Sequence, residues 1–273
     1  MKQSIRLILF LFLGSPTLAQ PLSQLCFPTT HNSYNVAKGK KHFLFPNHTY
    51  DITRQLNDSI RGFMLDVYER KGEVVLYHGF PVLGTQKLNS VLLAMQKWLV
   101  EHPSEVVAII FENYISQSKL LDELKLAGME DRLVMLPNTS NLPTLQQLQA
   151  SHKQLLVFVE SEMGDSVEGV YPAWKNILDT PWSIKPHAAM PNYIGRGSNN
   201  SKLFLMNHWI DRLIPNKRDA RRMNDLEFMK ARIESCKNEL GRYPNFIGVN
   251  FHHIGSVVKA AKYTQNRLGQ EGR

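Results

Sequence analysis

The sequence predicts an α/β protein, a (β/α)8 TIM barrel with some irregularity, and three observations carry that prediction. Short apolar runs recur eight times, at residues 25–30, 62–68, 74–77, 106–111, 132–136, 154–159, 203–206 and 246–251. Several are apolar almost throughout, as Val106-Val107-Ala108-Ile109-Ile110-Phe111 shows, which suits strands covered on both faces of a parallel sheet. Helical periodicity fills the intervals, so strands and helices alternate.

The first 19 residues precede this pattern and read as a cleaved signal peptide. Lys2 and Arg6 give a positive start, residues 7–13 an apolar stretch, and Thr17-Leu18-Ala19 a small-residue cleavage site. The apolar stretch is too short to span a bilayer. The expected product is a secreted or periplasmic chain, a single barrel domain over residues 20–273, monomeric in solution. Without the first 19 residues the chain keeps 30 basic against 24 acidic residues, a net charge near +6. That charge suits an anionic ligand or an acidic membrane surface. No basic stripe interleaved with aromatics is present, which argues against nucleic acid.

The elements follow in order. Leu88, Val91, Leu92, Met95 and Leu99 keep helical spacing, and His102-Pro103 ends that helix before the fourth apolar run. Leu120, Leu121 and Leu124 open a second helix that stops near Gly128. The fifth run, 132–136, is the weakest, and 171–200 is rich in Pro, Gly and Asn and reads as a long loop. A helix over 226–240 stops at Gly241 with Pro244 just beyond, a C-terminal signature. No linker or repeat interrupts the series.

Barrels of this class build their sites from the C-terminal ends of the strands. His31 and Asn32 follow the first run, Asp66 sits near the end of the second, His78 ends the third and Glu112 ends the fourth. Two imidazoles can take and give a proton in one reaction. Asn32, Asp66 and Glu112 are oxygen donors suited to a hard divalent cation, Ca²⁺ ahead of Mg²⁺, rather than to zinc. Together they suit phosphoryl transfer from a phosphodiester.

The segments Thr30-His31-Asn32-Ser33-Tyr34, Leu65-Asp66-Val67-Tyr68, Leu76-Tyr77-His78-Gly79 and Phe111-Glu112-Asn113-Tyr114, with Pro244-Asn245-Phe246-Ile247 near the end, carry a resemblance in their order. Over essentially the whole chain after residue 19 it resembles the catalytic X region of phosphatidylinositol-specific phospholipase C, in its exported single-domain branch. The resemblance implies a phospholipid or inositol phosphodiester as substrate. It also implies His31 as base, His78 as the leaving-group acid, and Asn32, Asp66 and Glu112 as calcium ligands.

Two positions depart from the pattern. Calcium-dependent members carry a glutamate two residues before the matched aspartate, where this chain has Met64, a poor calcium ligand. Asn250 stands where relatives often have aspartate, so it can orient His31 without adding charge. These departures keep two alternatives open: a barrel of this class acting on another lipid head group, as sphingomyelinase D does, or a catalytically degenerate head-group binder.

The segment after the first run holds Lys40, Lys41, Phe43 and Phe45, a composition suited to contact with an anionic bilayer. Lys217, Arg218, Arg221 and Arg222 form a second basic cluster. The cysteines, Cys26 and Cys236, lie on elements a closed barrel brings together, so a disulfide is expected. A buried free thiol is the alternative, because Cys236 shares the stripe of Leu226, Met229, Ile233 and Leu240. Four Asn-X-Ser/Thr sequons, at Asn47, Asn57, Asn138 and Asn199, matter only in a host that glycosylates.

Overall fold

The computed structural model describes residues 19–38, 43–137, 141–186 and 189–271. The expected signal segment apart from Ala19, together with Lys40 and Lys41, lies outside them. Strand β1 (Phe27–Thr30) is followed by a small parallel pair, β2 (Val36–Lys38) and β3 (His48–Tyr50), and by helix α1 (Ile52–Asn57). Next come β4 (Gly62–Arg70), β5 (Glu73–Leu76), β6 (Gln86–Lys87), α2 (Leu88–Glu101), β7 (Val107–Asn113), α3 (Gln117–Leu126) and α4 (Leu145–Ala150). The second half runs β8 (Leu155–Val159), β9 (Val170–Pro172), α5 (Ala173–Asn176), β10 (Ile177–Asp179), β11 (Leu203–Asn207), α6 (Lys217–Met223), α7 (Leu226–Leu240), β12 (Phe246–Val249) and α8 (Val257–Glu271).

Eight of these strands form one curled parallel sheet in the order β10-β11-β12-β1-β4-β7-β8-β9. The fold class is the one expected, with two changes of membership. Residues 74–77 fall on β5, which pairs antiparallel with β4 (Val67 opposite Leu76) and makes a hairpin instead of a barrel strand. Residues 132–136 contribute a single bridge, Leu133 to Leu155, and the next amide on that edge, Leu136, donates instead to the Tyr171 hydroxyl at 2.7 Å. Their places are taken by β9 and β10, inside the stretch read as loop; three residues each are too few to show a period. Among the described residues no backbone ladder joins β9 to β10, and the barrel has its seam there.

The strands alternate between two apolar layers. Phe63, Leu65 and Val67, Val107, Ile109 and Phe111, and Leu155, Val157 and Val159 point outward into a shell shared with the helices. Met64, Ala108, Ile110, Leu156, Phe158, Ile177, Leu203, Leu205 and Phe246 fill the barrel interior. Helix α2 buries Leu88, Val91, Leu92, Met95 and Leu99 as its spacing requires, each large side chain adding about 1.5–3 kcal/mol of burial. Helix α3 is capped by Ser116, which accepts from the Lys119 amide. Helix α7 is capped by Asp225 and ends at Gly241 in the left-handed region, φ 74°. No helix of the described residues is long and apolar enough to cross a membrane.

The expected disulfide is not formed. The Cys236 thiol donates to Asn192 Oδ1 at 3.4 Å, whereas Cys26 hydrogen-bonds to Thr264 on α8. Helix α8 packs against both β1 and α7, the two thiols turn to different partners, and burial pushes both pKa values up.

Close packing of β1 on β4 depends on Gly62, where an added Cβ would stand 2.2 Å from Thr29 Oγ1 and 2.9 Å from its Cβ. Gly62→Ala is therefore expected to destabilise the barrel by about 1–3 kcal/mol, read as a lower midpoint in urea or thermal unfolding. An unchanged midpoint would mean the strands separate there at no cost.

Candidate active site

The alternation that fills the interior with apolar residues ends, on strand after strand, in a polar one. Asp66 is the next inward position after Met64, Glu112 after Ile110, Glu160 after Phe158 and Asp179 after Ile177. His31 follows β1 and Asn250 follows β12, and both face the same pocket. Asp66 and Glu112 are direct partners in the β4–β7 register. Asp66, Glu112, Glu160, His31 and Asn250 line a pocket of about 560 Å³ at the C-terminal ends of the strands, while Asp179 is fully buried and reaches it only through Arg196.

His31 is held on three sides. Its ring stacks on Trp209, centroids 3.9 Å apart and planes 7° from parallel. Gly248 makes room for that indole: a Cβ there would meet Trp209 at 2.9 Å. The ring's Nδ1 lies 3.1 Å from Asn250 Oδ1, and the His31 carbonyl accepts from His48 Nε2 at 2.8 Å. Burial, with the nearby His78 charge adding to it, lowers the His31 pKa to about 3. At neutral pH this imidazole is uncharged.

His78 is shifted the opposite way. The β4–β5 hairpin carries it back so that its Nδ1 is 2.8 Å from Asp66 Oδ2, and its side chain is 59% exposed. The hydrogen bond to Asp66, opposed by partial burial, raises its pKa. The Asp66 carboxyl is itself raised to about 6, by burial first, with the facing Glu112 charge acting in the same direction. The buried Tyr34 hydroxyl lies near Asp66 but closes no hydrogen bond.

Asn32, Asp66 and Glu112 all line the pocket. Asn32 has φ 50°, unusual for a residue other than glycine, and its buried Nδ2 has no partner. Asp66 gives one oxygen to His78, and Glu112 gives Oε1 to the Tyr114 hydroxyl at 2.5 Å. Among the described residues no cluster of three or more His, Cys, Asp or Glu side chains could hold a metal ion by itself. What is left is a small oxygen-only set, which fits a hard cation that completes its shell with water or phosphate oxygens. Met64 lies one inward position deeper, among the apolar side chains.

Arg196 is the pocket's fixed cation. Its Nη1 is 2.8 Å from Glu160 Oε2, its Nη2 is 2.6 Å from Asp179 Oδ2, and its guanidinium lies 3.6 Å over the Trp174 ring. These contacts tie the end of β8 to β10 and α5, so side chains close the seam that the backbone leaves open. Burial pushes the Glu160 carboxyl up while Arg196 pulls it down. Neither Glu160 nor Asp179 was singled out from the sequence: Glu160 is the next inward position of an expected strand, whereas Asp179 ends β10, inside the stretch read as loop. Arg196 and Trp209 had no such signal.

The expected membrane contacts need correction. Phe43 is buried, 6% exposed, with its ring edge-on to Tyr34 at 5.7 Å, and Phe45 is half-buried in the pocket wall. The apolar pocket-lining residues that reach solvent are Phe80 (68% exposed), Trp182 (48%) and Leu213 (89%), with Val82 and Ile214 exposed beside two of them and Leu44 exposed between Phe43 and Phe45.

Comparison with known proteins agrees with this geometry. A PI-PLC X domain-containing protein of Arabidopsis thaliana is 27% identical over 253 residues, 85% of this chain and 59% of its own length. An uncharacterized secreted protein of Arthroderma benhamiae is 23% identical, covering 89% of this chain and 62% of its own. The chain thus spans about three fifths of the length of these two relatives. In structure it is similar to the phosphatidylinositol-specific phospholipase C of Listeria monocytogenes, with a TM-score of 0.61 at 16% identity over 93% of this chain and 96% of that one. It is equally similar to the Staphylococcus aureus phosphatidylinositol-specific phospholipase C, TM-score 0.61 at 11% identity over 92% and 95%. The PI-PLC X family model matches residues 19–266, and this chain belongs to that family.

Proposed function

We propose that the chain is a phosphodiesterase that cleaves a phosphatidylinositol-type phosphodiester by attack of a neighbouring head-group hydroxyl. One observation carries the reading: two imidazoles border one pocket with their pKa values shifted in opposite directions, His31 down by burial and His78 up by its hydrogen bond to Asp66. His31 takes the proton of the attacking hydroxyl as its oxygen bonds to phosphorus. The phosphorus–oxygen bond to the lipid alcohol breaks, and His78 gives that oxygen its proton. The products are a cyclic phosphodiester and a free diacylglycerol-type alcohol. The pocket wall, with Glu160, Arg196 and Asp211, offers donors and acceptors to a polyhydroxylated head group.

A divalent cation held by Asn32, Asp66 and Glu112 would supply charge neutralisation at the phosphate. The exposed apolar mouth, followed by Lys217, Arg218, Arg221 and Arg222 on α6, suits docking on an anionic bilayer. Export belongs to the same reading: the expected signal segment precedes the matched region, and one relative is named as secreted.

Release of inositol cyclic phosphate from phosphatidylinositol vesicles tests the chemistry. His31→Ala and His78→Ala should each lower turnover about 10²–10⁴-fold. Wild-type protein that binds the vesicles without releasing product would favour the degenerate binder. The pH profile has a definite sign. His78, its pKa raised, loses its proton as pH rises, so the alkaline limb should lie above the ordinary histidine value of 6.5, and Asp66→Asn should move it down.

Cation dependence is a separate measurement. Chelation should abolish activity, Ca²⁺ should restore it, and Glu112→Gln should raise the concentration needed. Full activity after exhaustive chelation would remove the cation from the mechanism. Docking is read by sedimentation with phosphatidylserine vesicles: Phe80→Ser and Leu213→Ser should each weaken partitioning about tenfold. Unaltered partitioning of the double variant would end the docking idea.

A further inference from the structure

Behind His31 three buried asparagines form a chain of hydrogen bonds whose direction is fixed at its far end. Asn35 Nδ2 donates to the Phe45 backbone carbonyl at 3.1 Å and to Asn47 Oδ1 at 2.7 Å. Asn47 Nδ2 donates to Asn250 Oδ1 at 3.0 Å, and the same oxygen lies 3.1 Å from His31 Nδ1. Asn35, Asn47 and Asn250 are 4%, 2% and 8% exposed, so water does not compete for these groups.

A side-chain amide can turn end for end, and a neutral imidazole can carry its proton on either nitrogen. A backbone carbonyl has no such freedom, because it can only accept. The Phe45 carbonyl therefore requires Asn35 to present Nδ2. That requires Asn47 to present Oδ1 toward Asn35 and Nδ2 toward Asn250, which in turn must present Oδ1. Turning Asn250 alone would set its Nδ2 against Asn47 Nδ2. Turning all three would set Asn35 Oδ1 against the Phe45 oxygen.

The backbone holds the frame in which this happens. The Asn35 carbonyl accepts from the amides of Asn47 and His48, the Asn47 carbonyl accepts from Phe251, and Asn224 Nδ2 donates to the Asn250 carbonyl at 2.9 Å. Asn35 Oδ1 is left buried without a partner, a cost the arrangement tolerates.

We infer that Asn47, oriented by Asn35 and the Phe45 carbonyl, is a positioning residue that locks His31 in the Nδ1–H tautomer and so leaves its Nε2 lone pair as the base. This rests on the proposed role of His31. It gives an uncharged chain the orienting task that a carboxylate beside the imidazole would perform by being unable to donate.

The inversion variant is Asn47→Asp. The new carboxylate, close in size and acceptor-only, still accepts from Asn35 but can no longer donate to Asn250. Asn250 is then expected to turn, present Nδ2 to both neighbours and drive His31 to the Nε2–H tautomer. Two-bond ¹H–¹⁵N correlation spectra of histidine-labelled protein, with His31 assigned by its loss in His31→Ala, read the tautomer without any turnover. The expected result is Nδ1–H in the wild type and Nε2–H in Asn47→Asp, with kcat down about 100-fold and KM within about twofold on phosphatidylinositol vesicles. Adding Asn250→Asp should restore the Nδ1–H form and most of kcat, because the two buried carboxyls then share one proton between them and the oxygen facing His31 is free to accept.

An Nδ1–H tautomer that persists in Asn47→Asp, or a double variant that does not recover it, overturns the inference. A tautomer that inverts while kcat holds leaves the positioning intact and removes His31 as the base. Asn47→Leu supplies a second route: a mixture of tautomers is expected, and a pure Nδ1–H signal from folded protein counts against the inference.

Discussion

The hydrogen-bonded register of the parallel sheet is the constraint on which the site depends. In β4 and β7 six consecutive pairs, from Gly62 with Ala108 to Val67 with Asn113, fix which side of the sheet every residue faces. A slip of one residue would turn Phe63, Leu65 and Val67 into the barrel and expose Met64 and Asp66 to the helices. The apolar layers on the two faces hold that register, and the register places Asp66 opposite Glu112. The same alternation carries Glu160 inward beside Glu112 at the end of β8, and Asp179 inward at the end of β10. The polar rim is the last inward layer of a barrel whose deeper layers are hydrocarbon.

Such a layer has to be balanced in charge, and the balance divides it in two. On the side of β4, β7, β8 and β10 stand four carboxylates, with Arg196 bound to two of them and His78 to a third. On the side of β1 and β12 stand His31, Asn250, Asn47 and Trp209, none of which carries a charge at neutral pH. Burial among amides and an indole pushes an imidazole toward its neutral form, and a carboxylate beside an exposed one pulls it toward the protonated form. The different tasks proposed for the two histidines therefore follow from where the sheet puts charge. Arg196 also closes the barrel seam, so pocket polarity and barrel closure share a residue.

Much of this was legible in the amino-acid order, for reasons that can be named. His31, Asp66, Glu112 and Asn250 end long apolar runs, and such runs mark strands and their C-terminal ends reliably. His78 was found in the right place by a different route, since its run belongs to a hairpin; antiparallel and parallel pairing look alike in four residues. Glu160 and Asp179 escaped because their strands end in no motif, and β9 and β10 are too short to display a period. The disulfide failed because helix α8 packs against both β1 and α7, a placement the order of elements along the chain does not reveal. Phe43 failed similarly: a cluster of lysines and phenylalanines suggests an exposed patch, but the ring found Tyr34. Arg196 reaches its carboxylates only through tertiary folding, and no local spacing announces it.

The burial of Asn47 has a consequence for how the chain can be made. Asn47 is the acceptor position of an Asn-His-Thr sequon, and the nitrogen a glycan would occupy is the one that donates to Asn250. At 2% exposure the folded site has no room for a sugar. Glycosylation there and native folding thus compete for the same atom. In a host that attaches glycans to nascent chains, each molecule modified at Asn47 before the barrel closes is lost to the native state. Yield in such a host becomes a race between oligosaccharide transfer and folding, whereas a host without that machinery runs no such race.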